Sequence, residues 1–199
     1  GARLRPGEPG DATDLVVVHM GIRLDNDLVA ATDVRHHGDL IAHRPAADKH
    51  RSLMAEILSK RSPLEIREAR EGDALSPGTV FIAPPNRHLL VNQDGIISLS
   101  QSELVHFVRP SADLLFESVA AVYKDRAIAV VLTGTGSDGA MGVQAIKKMG
   151  GTVIAQDEKT SQFFGMPSAA INTGNVDFVL PLDEIASALV TLVMKGDDP

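Results

Sequence analysis

Val130-Val131-Leu132-Thr133-Gly134-Thr135-Gly136-Ser137-Asp138-Gly139-Ala140 decides how this chain folds: an apolar run opens into a glycine-rich turn that holds one carboxylate, Asp138. Ala127 to Leu132 has the length and β-branched content of a buried parallel strand, and Met141 to Met149 follows with helical spacing. A strand that delivers a turn to a helix N-terminus is the unit of an open α/β sheet. In such sheets ligands and reacting groups collect at the carboxyl ends of strands. Asp138 is therefore the first candidate functional residue.

The turn admits three readings. Gly134, Gly136 and Gly139 spell G-x-G-x-x-G, and a second strand, Thr152 to Ala155, leads to Asp157 and Glu158 in the place of a ribose-binding acid. That is the pattern of a dinucleotide site, yet Asp138 inside the turn would face the pyrophosphate, at a Coulomb cost on the order of kilocalories. Alternatively Asp138 orients a histidine, as the acid of a nucleophile, base and acid constellation, which geometry defines and sequence order does not. The plainest reading makes Asp138 the cap of the helix that begins near Ala140.

Outward from the turn, periodicity predicts strands at Leu15 to Val18, Leu40 to Ala42, Leu64 to Ala69, Thr79 to Ile82, Thr152 to Ala155 and Phe178 to Leu180. Helices are expected at Ser52 to Lys60, Ser111 to Lys124, Met141 to Met149, Pro167 to Asn172 and Leu182 to Met194. His88 to Val91 and Ile96 to Ser100 read as a hairpin about Asn92-Gln93-Asp94-Gly95, because Asp-Gly suits the positive dihedral of a tight turn. The fold class expected is α/β: a doubly wound, mostly parallel sheet with helices on both faces and one antiparallel hairpin. In the helix from Ser111, Leu114, Leu115, Ser118, Val119 and Val122 stand at core spacing. Phe163 and Phe164 read either as core or as the rim of a substrate mouth.

Three blocks in order carry a more specific signal: Leu132 to Gly142 (LTGTGSDGAMG), Gly151 to Gln156 (GTVIAQ) and Phe164 to Ile171 (FGMPSAAI). Upstream lie Gly78 to Leu89 (GTVFIAPPNRHL) and Arg109 to Phe116 (RPSADLLF). Over roughly Ser52 to Val193 the chain resembles the catalytic domain of the chemotaxis protein-glutamate methylesterases, the CheB family. The resemblance implies an esterase that hydrolyses methyl esters of glutamate side chains and often deamidates glutamines, with no metal or organic cofactor. Its partners would be the methylated cytoplasmic helices of chemoreceptors or a related sensory protein. In that family a serine at a strand-to-helix elbow attacks, a histidine near the end of the following strand is the base, and the aspartate of the glycine turn supports it. Asp138 falls on that aspartate, and the backbone N–H of Thr135 falls where the family helps to hold the oxyanion.

Three histidines compete for the base. His43 leads, since it ends the apolar segment Leu40-Ile41-Ala42 and keeps about the family's separation from Asp138. His19 ends the better strand, but choosing it requires a long insertion before Ser52. His50 sits too close to the helix from Ser52.

The start of the chain departs from the family. The family's nucleophile lies in a G-x-S-x-G-G turn after the first strand, whereas here Val16-Val17-Val18 runs into His19-Met20-Gly21-Ile22-Arg23 and no serine precedes Ser52. Thr13 and Thr32 lack the glycine turn that would expose a hydroxyl to the base and to backbone donors. Two expectations follow: a binding or regulatory module that kept the fold and lost the chemistry, or a chain whose first forty or so residues are not those of an intact family member, which the scant apolar periodicity between Arg23 and Asp48 supports. His36-His37 reads as a solvated pair, because adjacent side chains point to different sides of a helix or strand.

Composition sets the outer bounds. At 199 residues and 44% hydrophobic content the chain can bury one substantial core. We expect a flexible leader over residues 1–11 and a single domain over 12–199, with 12–51 divergent from the family. There is no cysteine, so thiolate chemistry and a disulfide framework are excluded. A net charge of -7 with one tyrosine and no tryptophan argues against a nucleic-acid partner. No run approaches a membrane span, so no membrane insertion and a cytoplasmic location are expected.

Overall fold

The computed structural model describes residues 15–21, 60, 64–76, 78–105 and 108–195. In chain order the elements are strands β1 (Leu15–Gly21), β2 (Glu65–Glu68), β3 (Thr79–Ile82), β4 (His88–Val91) and β5 (Ile97–Ser100), then helix α1 (Ala112–Tyr123) and strand β6 (Ala127–Gly134). Helix α2 (Ala140–Lys148), strand β7 (Thr152–Gln156), helix α3 (Gly165–Asn172), strand β8 (Phe178–Leu180) and helix α4 (Leu182–Lys195) follow.

The parallel sheet has the order β1-β6-β7-β8, and β6 is buried along its whole length. Burial on both faces is why its sequence is continuously apolar. Alternate residues serve opposite layers. Ala127, Ala129 and Val131 join Phe116, Val119 and Ala120 of α1 and Val143 and Ile146 of α2. Ile128, Val130 and Leu132 pack with Ile154 and with Ile185 of α4. Helices thus cover both faces, as the alternation of elements predicts. β1 runs beside β6 in parallel register, Leu15 against Ala127 and Gly21 against Gly134, with a shift between His19 and Gly21. The two strands therefore end side by side.

Two smaller sheets flank this layer. β2 and β3 pair in parallel, and Arg67 lies 4.6 Å over the Phe81 ring while donating to Asp73 at 2.8 Å. That guanidinium holds the Asp73 carboxyl below its ordinary range. β4 and β5 form the expected hairpin, in which Gly95, at φ +70°, donates its N–H to the Asn92 carbonyl at 2.9 Å.

Two expectations need adjustment. The strand expected over Leu15 to Val18 continues to Gly21. In α1 the buried set is Ala112, Asp113, Phe116, Val119 and Ala120; of the expected stripe Val119 is buried, while Leu114, Leu115, Ser118 and Val122 are only partly so. The reason is a close crossing with α2. A Cβ on Gly142 would lie 2.6 Å from Phe116 Cβ, so α2 approaches α1 this closely only because residue 142 has no side chain. Gly142→Ala is accordingly expected to lower stability by ~1–3 kcal/mol through overpacking, read as a reduced urea midpoint at unchanged slope. The strand expected at Leu40 to Ala42, nearly all of the helix expected at Ser52 to Lys60, and the leader lie outside the described residues. Among those residues no helix is long and apolar enough to cross a membrane.

Candidate active site

β6 ends at Gly134, and the chain passes through exposed Thr135, Gly136 and Ser137 before Asp138 returns to the interior at 7% exposure. Gly136 (φ +89°) and Gly139 (φ +96°) occupy left-handed backbone that only glycine adopts at little cost, which lets the turn fold back on the strand. The turn is backed by the segment after β7. Phe163 donates its N–H to Thr133 Oγ1 at 2.8 Å and accepts Gly134 N–H at 2.8 Å. Gly165 packs so closely that an added Cβ would lie 3.0 Å from the Gly136 nitrogen. Deeper in, Thr133 N–H donates to Gln156 Oε1 at 2.8 Å, and Gln156 Nε2 donates to the Thr160 carbonyl at 2.8 Å. The strand end and the loop over it are thus one hydrogen-bonded unit. Phe163, at 39% exposure, stands at the surface of that loop and is not a core residue.

Asp138 is hydrogen-bonded to the helix before it in the chain. Its Oδ1 accepts Ser111 Oγ–H at 2.8 Å and Asp113 N–H at 3.2 Å, and its Oδ2 accepts Ala112 N–H at 2.7 Å. The carboxylate therefore sits on the N-terminus of α1. The reading of Asp138 as the cap of the helix near Ala140 gives way to these bonds, and Gly139 occupies that helix's N-cap position. The donor there is met from across the interface, where Asp113 Oδ1 accepts Gly142 N–H at 2.8 Å. Two buried carboxylates are exchanged between two helix starts, each placed where unpaired N–H groups and the helix dipole favour negative charge.

This arrangement argues against the dinucleotide reading. A pyrophosphate would need the amides at the start of α2, but Gly142 N–H goes to Asp113 and Ala140 N–H goes to the Ser137 carbonyl at 3.1 Å.

Behind Ser111 lies His88, fully buried. Its Nδ1 accepts Ser111 N–H at 3.2 Å, so the ring proton sits on Nε2, which donates to the Glu103 carbonyl at 3.1 Å. Both ring nitrogens are engaged, and His88 is a structural imidazole. Of the three candidate bases, His43 and His50 lie outside the described residues, and His19 falls within β1 opposite Val131, short of the end of β6. Thr135 is the first residue beyond β6 and is exposed.

Ser111, Asp113 and His88 were not singled out from sequence as site residues. The signal available was local: Ser111 and Asp113 stand in Arg109-Pro110-Ser111-Ala112-Asp113, a helix start with more polar groups than one cap requires.

A family model for the CheB methylesterase matches residues 31–189. The chain belongs to the CheB methylesterase family. It is 43% identical over 158 residues to a protein-glutamate methylesterase/protein-glutamine glutaminase of Moorella thermoacetica, covering 77% of this chain and 37% of that one. To a putative protein-glutamate methylesterase/protein-glutamine glutaminase of Leptospira interrogans it is 45% identical over 136 residues, 68% of this chain and 70% of the other. The crystal structure of the Thermotoga maritima CheB methylesterase catalytic domain matches with a TM-score of 0.68 at 40% identity, over 70% of this chain and 76% of that one. The chain thus spans well under half of the Moorella relative and most of the shorter Leptospira one. CheB membership accounts for the α/β architecture and for the motifs on which the resemblance rests.

Proposed function

We propose that this chain acts as a chemotaxis-type protein-glutamate methylesterase on the methylated cytoplasmic helices of chemoreceptors, with deamidation of receptor glutamines as a second activity. One observation carries the reading. A buried carboxylate, Asp138, is fixed by Ser111, Ala112 and Asp113 in the turn that follows β6, a strand whose last residue, Gly134, pairs with Gly21 at the end of β1.

In this account His43 is the base and Asp138 holds it in one tautomer, steadying the imidazolium that forms when the base takes a proton. A water molecule gives its proton to His43 as its oxygen bonds to the ester carbonyl carbon, which becomes tetrahedral with its oxygen facing the Thr135 N–H. The imidazolium then protonates the methoxy oxygen as its bond to that carbon breaks, releasing methanol and leaving the glutamate carboxyl group. No cofactor enters any step. The activity places the chain in the cytoplasm with its substrate.

The second reading is a CheB-like module that binds receptor helices without turnover, and the absence of any serine before Ser52 favours it. Incubating the chain with receptor fragments carrying labelled methyl esters separates the two. Methanol release that disappears in Asp138→Ala is the result expected. Binding to the fragments without methanol release would establish the inert module instead.

A further inference from the structure

Ser111 occupies the N-cap of α1, yet its hydroxyl makes no bond to its own helix. A serine there ordinarily accepts an N–H from the first turn. Here Ser111 Oγ–H is turned outward to Asp138 Oδ1 at 2.8 Å, and Asp138 accepts the N–H groups of Ala112 and Asp113 in its place. The serine backbone is fixed in turn, because its N–H is held by Nδ1 of the buried His88, whose Nε2 is anchored on Glu103. A simple cap would need neither the reversed hydroxyl nor the imidazole behind it.

The geometry points to Ser111 as a positioning residue for Asp138, held in register by His88, so that the carboxylate meets the base imidazole at one fixed orientation. The inference rests on the methylesterase reading above. The relay runs Glu103 carbonyl, His88 ring, Ser111 backbone and hydroxyl, then Asp138. Among the described residues, two further charged ones stand at this junction: Asp113, whose N–H also donates to Asp138, and Arg109, whose guanidinium donates to Asn86 Oδ1 and to the Gln101 and Ser102 carbonyls. Every member of the relay is at most 7% exposed, apart from Glu103, which contributes only its carbonyl. Buried polar networks of this kind specify geometry because each group has one set of partners.

The test compares Ser111→Ala, Ser111→Thr and Asp138→Asn in the intact chain. Two quantities are read: kcat and KM for methanol release from a methylated receptor-helix fragment, and the low-field proton resonance of the His43 ring N–H. Ser111→Ala is expected to lower kcat on the order of tenfold at unchanged KM and to move the His43 resonance, with Ser111→Thr restoring both. A merely structural serine would lower the melting temperature and leave kcat and the resonance in place, which would overturn the inference. If Asp138→Asn moves the resonance and Ser111→Ala does not, the positioning role fails while the methylesterase reading stands. If neither moves it, the pairing of Asp138 with His43 fails, and the role of Ser111 with it. In a chain that releases no methanol, the resonance alone decides by the same outcomes.

Discussion

Asp138→Asn is expected to cut methanol release on the order of a thousandfold or more, while the chain still folds. An amide in place of the carboxylate offers the base a neutral and differently oriented partner, so the imidazole loses its tautomer and the imidazolium its counter-charge. The same change has a structural side. Both oxygens of Asp138 accept hydrogen bonds in the wild type, from Ser111 and Asp113 on one and from Ala112 on the other. Asparagine must set its NH2 against at least one of these donors, which costs about 1–3 kcal/mol. Asp138→Ala removes every acceptor, stranding two backbone N–H groups and a hydroxyl in the interior, and is expected to cost about 3–5 kcal/mol. Urea denaturation beside the methanol assay separates the two effects, because Asn should abolish far more turnover than stability.

Phe116→Ala carries the largest expected loss of stability from packing alone. The ring is fully buried in the layer shared by α1, α2 and β6, and it closes on Gly139 and Gly142. Removing it opens a cavity that the small residues around it cannot fill, at about 3–5 kcal/mol. The exchanged carboxylates depend on the same crossing, since Asp138 and Asp113 reach each other's helix only while α1 and α2 stay in contact. The urea midpoint is expected to fall steeply. Turnover measured on the folded fraction should fall too.

How much of this was legible in the sequence follows from where each signal lives. The β6 turn announced itself because a buried parallel strand must be apolar throughout and its turn needs glycine at positive φ, and both are local properties. The hairpin at Asp94-Gly95 was equally local. The exchange between Asp138 and Asp113 was not legible, because each carboxylate caps a helix distant from it in sequence, and capping rules look only at neighbours. The apolar spacing of α1 pointed to its leucines, but the close approach of α2 depends on Gly142, which leaves room for Phe116 by having no side chain. His88 looked like one histidine among seven, and only its two ring partners distinguish it as structural. The family was legible as a resemblance carried by the residues of three blocks in order, and the match over residues 31–189 agrees with it.

The central claim is that Asp138 holds His43. A double-mutant cycle on unfolding free energy, with Asp138→Asn and His43→Gln singly and together, tests it without requiring turnover. The account predicts a coupling of about 1 kcal/mol or more between the two positions. Additivity within about 0.3 kcal/mol would contradict it, leaving Asp138 as the cap of α1 and nothing further.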